Sequence, residues 1–196
     1  MIEQLQQYIP TNAKENLEYL INKHDFCLKI VKGRKTKRGD FRATQPLATI
    51  TINNNLTKEQ FLITLVHEIA HLHTHIHYPR VKPHGMEWKQ CFKQLMLPFL
   101  TPTVFDEPLL KHLAKHLINP KATTDSDIKL SVVLQEKKNT NRHHNYYIFD
   151  LKPGTLFSLN NRTFKVLNKR RTRYECLEIE TKKRYLIKGN APVDIV

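Results

Sequence analysis

Apolar positions recur at helical spacing in some segments and at strand spacing in others, and the switches between the two predict the elements. Residues 3–22 carry helical spacing through Leu5, Tyr8, Ile9, Ala13, Leu17 and Leu20, with Pro10 breaking it or starting a second helix. Residues 26–31 and 47–52 read as strands joined by a basic loop, the second alternating between Ile50 and Ile52. Asn53-Asn54-Asn55 closes that strand, and Thr57 with Gln60 three positions on forms a capping box. A long helix over about residues 58–77 is expected to follow. Within it Phe61, Leu65, Ile69, Leu72 and Ile76 step by 4, 4, 3 and 4, one apolar stripe facing a core. Residues 78–85, with Pro79, Pro83 and Gly85, end the pattern, and residues 86–97 and 106–117 read as two more helices.

After Asn119-Pro120 the texture changes. Residues 121–128 are polar and read as a linker. Short β-type runs follow at 130–134, 146–149, 155–159, 164–167, 174–179 and 185–187, separated by Pro153-Gly154, Asn160-Asn161 and charged turns. That spacing predicts a small antiparallel sheet or barrel. The expected organisation is therefore α+β: a domain over 1–120, a linker over 121–128 and a β-rich module over 129–196.

The uninterrupted apolar runs, such as residues 61–66, fall far short of the roughly 20 residues that span a bilayer. The first seven residues lack the basic and apolar regions of a secretory signal, which predicts a cytoplasmic protein with no membrane partner. Cys27, Cys91 and Cys176 are an odd number at wide spacing with no Cys-x-x-Cys pair, which predicts reduced thiols and neither a disulfide framework nor a cysteine zinc ribbon.

Charge adds a partner. The chain has 32 Lys+Arg against 18 Asp+Glu, a formal net charge of +14. Residues 1–120 hold 16 basic and 10 acidic side chains, and residues 121–196 hold 16 and 8, so the positive density is higher in the second part. Two clusters stand out: Lys29, Lys32, Arg34, Lys35, Lys37, Arg38 and Arg42, interrupted by Asp40, and Lys169, Arg170, Arg171 and Arg173 followed by Lys182, Lys183 and Arg184. Such runs suit a nucleic acid, because each phosphate neutralised releases counterions. The bland alternative is solvated loops and strand edges, where Lys also blocks edge pairing.

The string carrying chemistry is His67-Glu68-Ile69-Ala70-His71 on the long helix. Histidines four apart lie about 40° apart around the axis and one turn up, so both imidazoles can face one ion while Glu68 reaches a water beside it. The apolar stripe leaves both histidines off the most buried line. A catalytic zinc needs a third protein ligand and an open position, and three candidates exist. His77 falls where the pattern H-E-x-x-H-x-x-G-x-x-H would put it, but Thr74 stands where that pattern needs Gly. On a continuing helix His77 lies about 15 Å along the axis from His67. Glu87 on the next helix is a carboxylate candidate, either as ligand or hydrogen-bonded to one. His84, between rigid Pro83 and flexible Gly85, sits in a loop able to fold back over the first helix and is favoured. His73, His75 and His77 alternate and scatter around a helix, so they read as solvated, as do His112 and His116. Trp88 reads as locking its helix against the core.

The stretch from Arg38-Gly39-Asp40-Phe41-Arg42, through the Ile50–Ile52 strand and the two-histidine motif, to His84-Gly85-Met86-Glu87-Trp88 resembles the SprT-like metalloprotease family, which includes the Spartan proteases. In that family a strand and loop precede the motif helix, and a His-Gly-x-Glu-aromatic motif supplies the third zinc ligand. The likeness covers about residues 1–115. It implies a zincin-like core in which the motif helix packs on a small sheet, one Zn²⁺ held by His67, His71 and His84, and Glu68 as general base. It also implies a zinc endopeptidase whose substrates are proteins on or crosslinked to DNA. Many members end in a cysteine zinc ribbon. Here a basic β-rich module takes that place, with Phe164, Tyr174 and Tyr185 read as core residues or as platforms for base stacking. The rival reading is a nucleic-acid-binding or regulatory protein that keeps zinc for structure. Glu68 separates the two, because a purely structural site needs no general base.

Overall fold

A computed structural model describes residues 2–43, 46–124, 127–138 and 146–196. The chain divides into two compact units, Met1–Thr123 and Thr124–Val196.

The first unit is a three-stranded sheet with helices. The N-terminal helical segment is broken, as Pro10 dictates, into α1 (Ile2–Leu5) and α2 (Lys14–Ile21), with short 3₁₀ turns between them. Strands β1 (Cys27–Val31), β2 (Gly39–Arg42) and β3 (Thr49–Asn53) form a sheet in the order β1-β3-β2, with β3 parallel to β1 and antiparallel to β2. Ile50 and Ile52 alternate into the core with no exposure. Burying each such side chain contributes roughly 1.5–3 kcal/mol.

Helix α3 (Lys58–His77) packs on β2 and β3. Its start is the capping box: the Gln60 N–H donates to Thr57 Oγ1 (3.3 Å) and the Thr57 N–H donates to Gln60 Oε1 (3.4 Å), satisfying two of the donors a helix N-terminus leaves open. The buried face is broader than one stripe, because Leu62, Ile63, Val66 and Ala70 are buried beside Phe61, Leu65, Ile69 and Leu72. Ile76, expected to end the stripe, is exposed because the last turn runs past the sheet-packed segment. Helix α4 (Met86–Met96) packs on α3, and α5 (Glu107–Ile118) on α4.

The second unit begins differently from the sequence expectation. Residues 130–134 are not a strand but part of α6 (Ile128–Lys138). The Asp127 side chain accepts the Leu130 N–H (3.4 Å), an N-cap interaction, and Leu130 and Leu134, four apart, are both buried. Of the expected linker, residues 125 and 126 lie outside the described residues, and Ile128 is already helical. The remaining strands are β4 (Tyr146–Tyr147), β5 (Leu156–Leu159), β6 (Arg162–Lys169), β7 (Arg173–Glu178), β8 (Arg184–Lys188) and β9 (Pro192–Ile195). They form an antiparallel sheet ordered β4-β9-β5-β6-β7-β8. Its core holds Ile148, Leu151, Phe157, Phe164, Val166, Tyr174, Cys176 and Val193. Phe164 and Tyr174 are thus core residues, and Tyr185 packs against them under the Arg162 guanidinium, which leaves none of the three as an open stacking platform. Among the described residues no helix is long and apolar enough to cross a membrane.

Candidate metal centre

Helix α3 presents His67 and His71 one turn apart on the side facing α4, and the loop before α4 returns His84 to them. His84 adopts a left-handed backbone conformation (φ +57°), a region uncommon outside glycine but relatively accessible to His, and this turn folds its imidazole back over α3. The three Nε2 atoms are 3.2 Å (His67 to His71), 3.0 Å (His71 to His84) and 3.3 Å (His67 to His84) apart. A tetrahedral zinc with imidazole bonds of about 2.0–2.1 Å places its nitrogens roughly 3.3 Å apart. The spacing therefore fits a single ion of that kind, and the three histidines form a group able to hold a metal.

Trp88 on α4 has no exposure and walls this group, its ring 4.6 Å from those of His67 and His84 and 5.1 Å from that of His71. Phe92 backs Trp88 (5.1 Å, stacked), and Phe41 of β2 stacks against His71 from the other side. Trp88 does lock α4 against the core, and the surface it presents is the site itself. Burial holds the His67 imidazole well below its ordinary range, with His71, His84 and buried His116 adding to the effect. Burial, then the neighbouring His84, holds His71 down at about 4. Burial lowers His84 as well. All three imidazoles are therefore neutral near pH 7, the form that donates a lone pair to a metal.

Glu68 follows His67 on α3 and turns toward β2. It is buried, and burial pushes its carboxyl up to about 8, with the Asp40 charge adding and with Arg34, Lys37 and a hydrogen bond from the Phe41 N–H opposing. The β2 backbone passes directly over this carboxylate. A Cβ built on Gly39 would lie 2.5 Å from Glu68 Oε1 and 2.7 Å from Thr64 Cγ2, so any larger residue there displaces one of these side chains or the strand.

The other candidates lie elsewhere. Helix α3 runs unbroken through Thr74, and His77 at its end sits beside His73 and His24. Glu87, on the first turn of α4, is half-buried and outside the three-histidine group. His75 is exposed, with its ring 5.8 Å from that of Phe41. His116, read from sequence as surface, is buried, because its face of α5 also carries Leu109, Leu113 and Leu117 inward. Sequence reasoning did not find the roles of Gly39 and Phe41. The only signal was the Gly39-Asp40-Phe41 string, whose meaning depends on a long-range approach to α3.

Several of the expected basic residues are held internally. Lys37 and Arg42 pair with Asp40. Arg34 donates to Asn53 Oδ1 and Thr51 Oγ1. Arg170 and Arg184 both pair with Glu175, and Arg162 pairs with Glu178. Lys29, Lys32, Lys35, Lys169, Arg171, Arg173, Lys182 and Lys183 are exposed.

An α+β unit whose longest helix carries two histidines of a three-imidazole cluster beside a buried carboxylate has a donor set able to hold a metal ion. Residues 2–106 match the model of the SprT-like family, and the chain belongs to that family. No curated protein and no solved structure gives a significant match.

Proposed function

We propose that the chain is a zinc-dependent endopeptidase with a zincin-type core, acting on proteins associated with or crosslinked to DNA. The observation that carries this reading is the convergence of three neutral imidazoles, from His67, His71 and His84, next to a buried carboxylate on the same helix. Imidazole donors in tetrahedral spacing suit zinc, and three protein ligands leave a fourth position open, as a catalytic site requires. Zinc held there supplies a Lewis acid for the peptide carbonyl and lowers the pKa of water.

The chain's own residues account for the proton. Glu68 accepts it at a carboxylate oxygen from the attacking water and returns it to the leaving amine. The Phe41 N–H donates to the Glu68 carboxylate and fixes its orientation, and a zinc ion held beside it would favour the ionised form that takes the proton. Trp88, Phe92 and Phe41 keep water away from the buried side of the cluster. Family membership supports protein substrates, and the exposed lysines and arginines support a DNA partner that would hold protease and substrate together.

The test combines metal analysis with proteolysis. Purified protein is expected to carry stoichiometric zinc, and DNA-stimulated cleavage of a DNA-bound protein should fall at least 100-fold in Glu68→Gln while zinc is retained. Unchanged cleavage in that variant would remove Glu68 from the chemistry. Salt-sensitive DNA binding with only chelator-insensitive background cleavage would favour the nucleic-acid-binding alternative.

A further inference from the structure

A second group of three histidines lies on the same helix. His73 and His77 occupy α3 at the four-residue spacing of His67 and His71, but six residues further on. At 100° and 1.5 Å per residue, that displacement carries the second pair about 120° round the axis and about 9 Å along it, so it faces a different side. The turn after α2 brings His24 to this face. The His73 and His77 ring centroids are 4.3 Å apart, and His24 lies 5.3 Å from His73 and 6.0 Å from His77. One ring nitrogen from each residue falls within 4.8 Å of the other two.

An independent feature points to a ligand. Two nitrogens in the group, His24 Nε2 and His73 Nδ1, are buried with no hydrogen-bond partner among the described residues. Leaving a polar ring nitrogen buried and unpaired costs about 1–3 kcal/mol, and two of them in rings whose centroids are 5.3 Å apart point to one shared ligand rather than two independent lapses. A metal ion would satisfy both.

We propose that His24, His73 and His77 form a second metal site, separate from the cluster of His67, His71 and His84, which takes a borderline d-block cation such as Zn²⁺ and excludes Mg²⁺ and Ca²⁺. The donor set decides the selectivity. Three imidazoles suit Zn²⁺, Ni²⁺ or Cu²⁺, whereas hard cations need oxygen ligands, and the group contains no carboxylate. A tetrahedral ion wants its nitrogens roughly 3.3 Å apart, so the group must draw in by up to ~1.5 Å. His77 is exposed and His24 sits on a turn, so both can rotate to do this. Lys23 is nearby, but its ammonium is drawn over the Tyr19 ring, 4.3 Å from the centroid. Because His77 is exposed, solvent would reach an ion held here, which would make it the more weakly held of the two. Binding would tie the turn between α2 and β1 to the last turn of α3.

The test is equilibrium dialysis of the full chain against Zn²⁺, with metal counted per chain and with Co²⁺ as a spectroscopic substitute. Wild type is expected to bind about two zinc ions. His24→Ala and His77→Ala should each lose the weaker one. His67→Ala/His71→Ala should lose the other while the weaker ion remains, so a failure of the proposed catalytic site is read separately. His77 is exposed, so His77→Ala keeps the test valid even if His24→Ala fails to fold, with circular dichroism monitoring both. The proposal is overturned if wild type binds a single ion whose stoichiometry His77→Ala leaves unchanged, if the second ion survives in His77→Ala, or if Mg²⁺ or Ca²⁺ displaces it.

Discussion

Gly39 of β2 and Glu68 of α3 are packed so closely that the smallest possible side chain on Gly39 would lie 2.5 Å from the Glu68 carboxylate. Backbone and carboxylate are therefore positioned together, and the strand acts as a template for the orientation of Glu68. Gly39→Ala must push Glu68, Thr64 or β2 aside. On the proposed function it is expected to lower proteolytic turnover at least 10-fold while leaving zinc content near wild type, because the added methyl group would meet Glu68 and Thr64 and none of the three histidines. Parallel measurement of kcat and bound zinc checks this, and a variant with normal turnover would show that Glu68 tolerates displacement.

The buried carboxyl also makes a stability prediction. In metal-free protein Glu68 is raised from 4.5 to about 8, so the folded state holds a proton that the unfolded chain has released. Its contribution is complete below about pH 4.5 and is lost as pH rises through 8. Glu68→Gln should therefore unfold later than wild type in chelator at pH 9, by roughly 2–5 kcal/mol, and the gap should close toward pH 4. Urea titrations at three pH values measure it, and an equal gap at every pH would contradict the linkage.

Trp88 fills the space behind three imidazoles with no exposure, and its indole Nε1–H is buried without a hydrogen-bond partner among the described residues. Trp88→Ala is expected to cost about 3–5 kcal/mol by opening a cavity. Trp88→Phe removes the unsatisfied donor along with part of the ring and should cost less, about 1–2 kcal/mol. Denaturant unfolding of the two variants compares them directly.

In the second unit, hydrogen bonds from Arg162 and Thr181 hold the buried Glu178 carboxyl down at about 2. Its stabilising contribution is present above about pH 4.5 and is lost as pH falls through 2. Glu178→Gln should destabilise the full chain at pH 6, and the difference should shrink as pH approaches 2. Tryptophan fluorescence reports the wrong unit, because Trp88 is the one tryptophan of the chain; hydrogen exchange resolved to the amides of β6 and β7 reports this one.

Helix α3 was legible because three independent local signals agreed: a capping box, a 3.6-residue period, and histidines at the matching spacing. His84 was legible through Pro83 and Gly85, which mark where a chain can reverse. Residues 130–134 misled because a five-residue apolar run has no period long enough to tell strand from helix, and the Asp127 cap that decides it lies just outside the run. Strand β9 escapes a sequence reading because a four-residue segment that opens on Pro192 carries almost no strand signal. Nothing local says what Gly39 and His24 approach. Each matters only through a partner on α3, and sequence periodicity says nothing about pairs brought together by tertiary packing.

The arginines paired with Glu175 and Glu178 have a further consequence. Arg162, Arg170 and Arg184 commit their guanidinium groups to carboxylates when the sheet forms, so any polyanion has to compete with Glu175 and Glu178 for them. On the proposed DNA partnership, the salt dependence of affinity would therefore be set mainly by phosphates that meet the basic side chains left outside these pairs. A plot of log affinity against log salt would be shallower than the 32 basic side chains imply, and it would measure how much of the chain's positive charge is committed to holding its own sheet together.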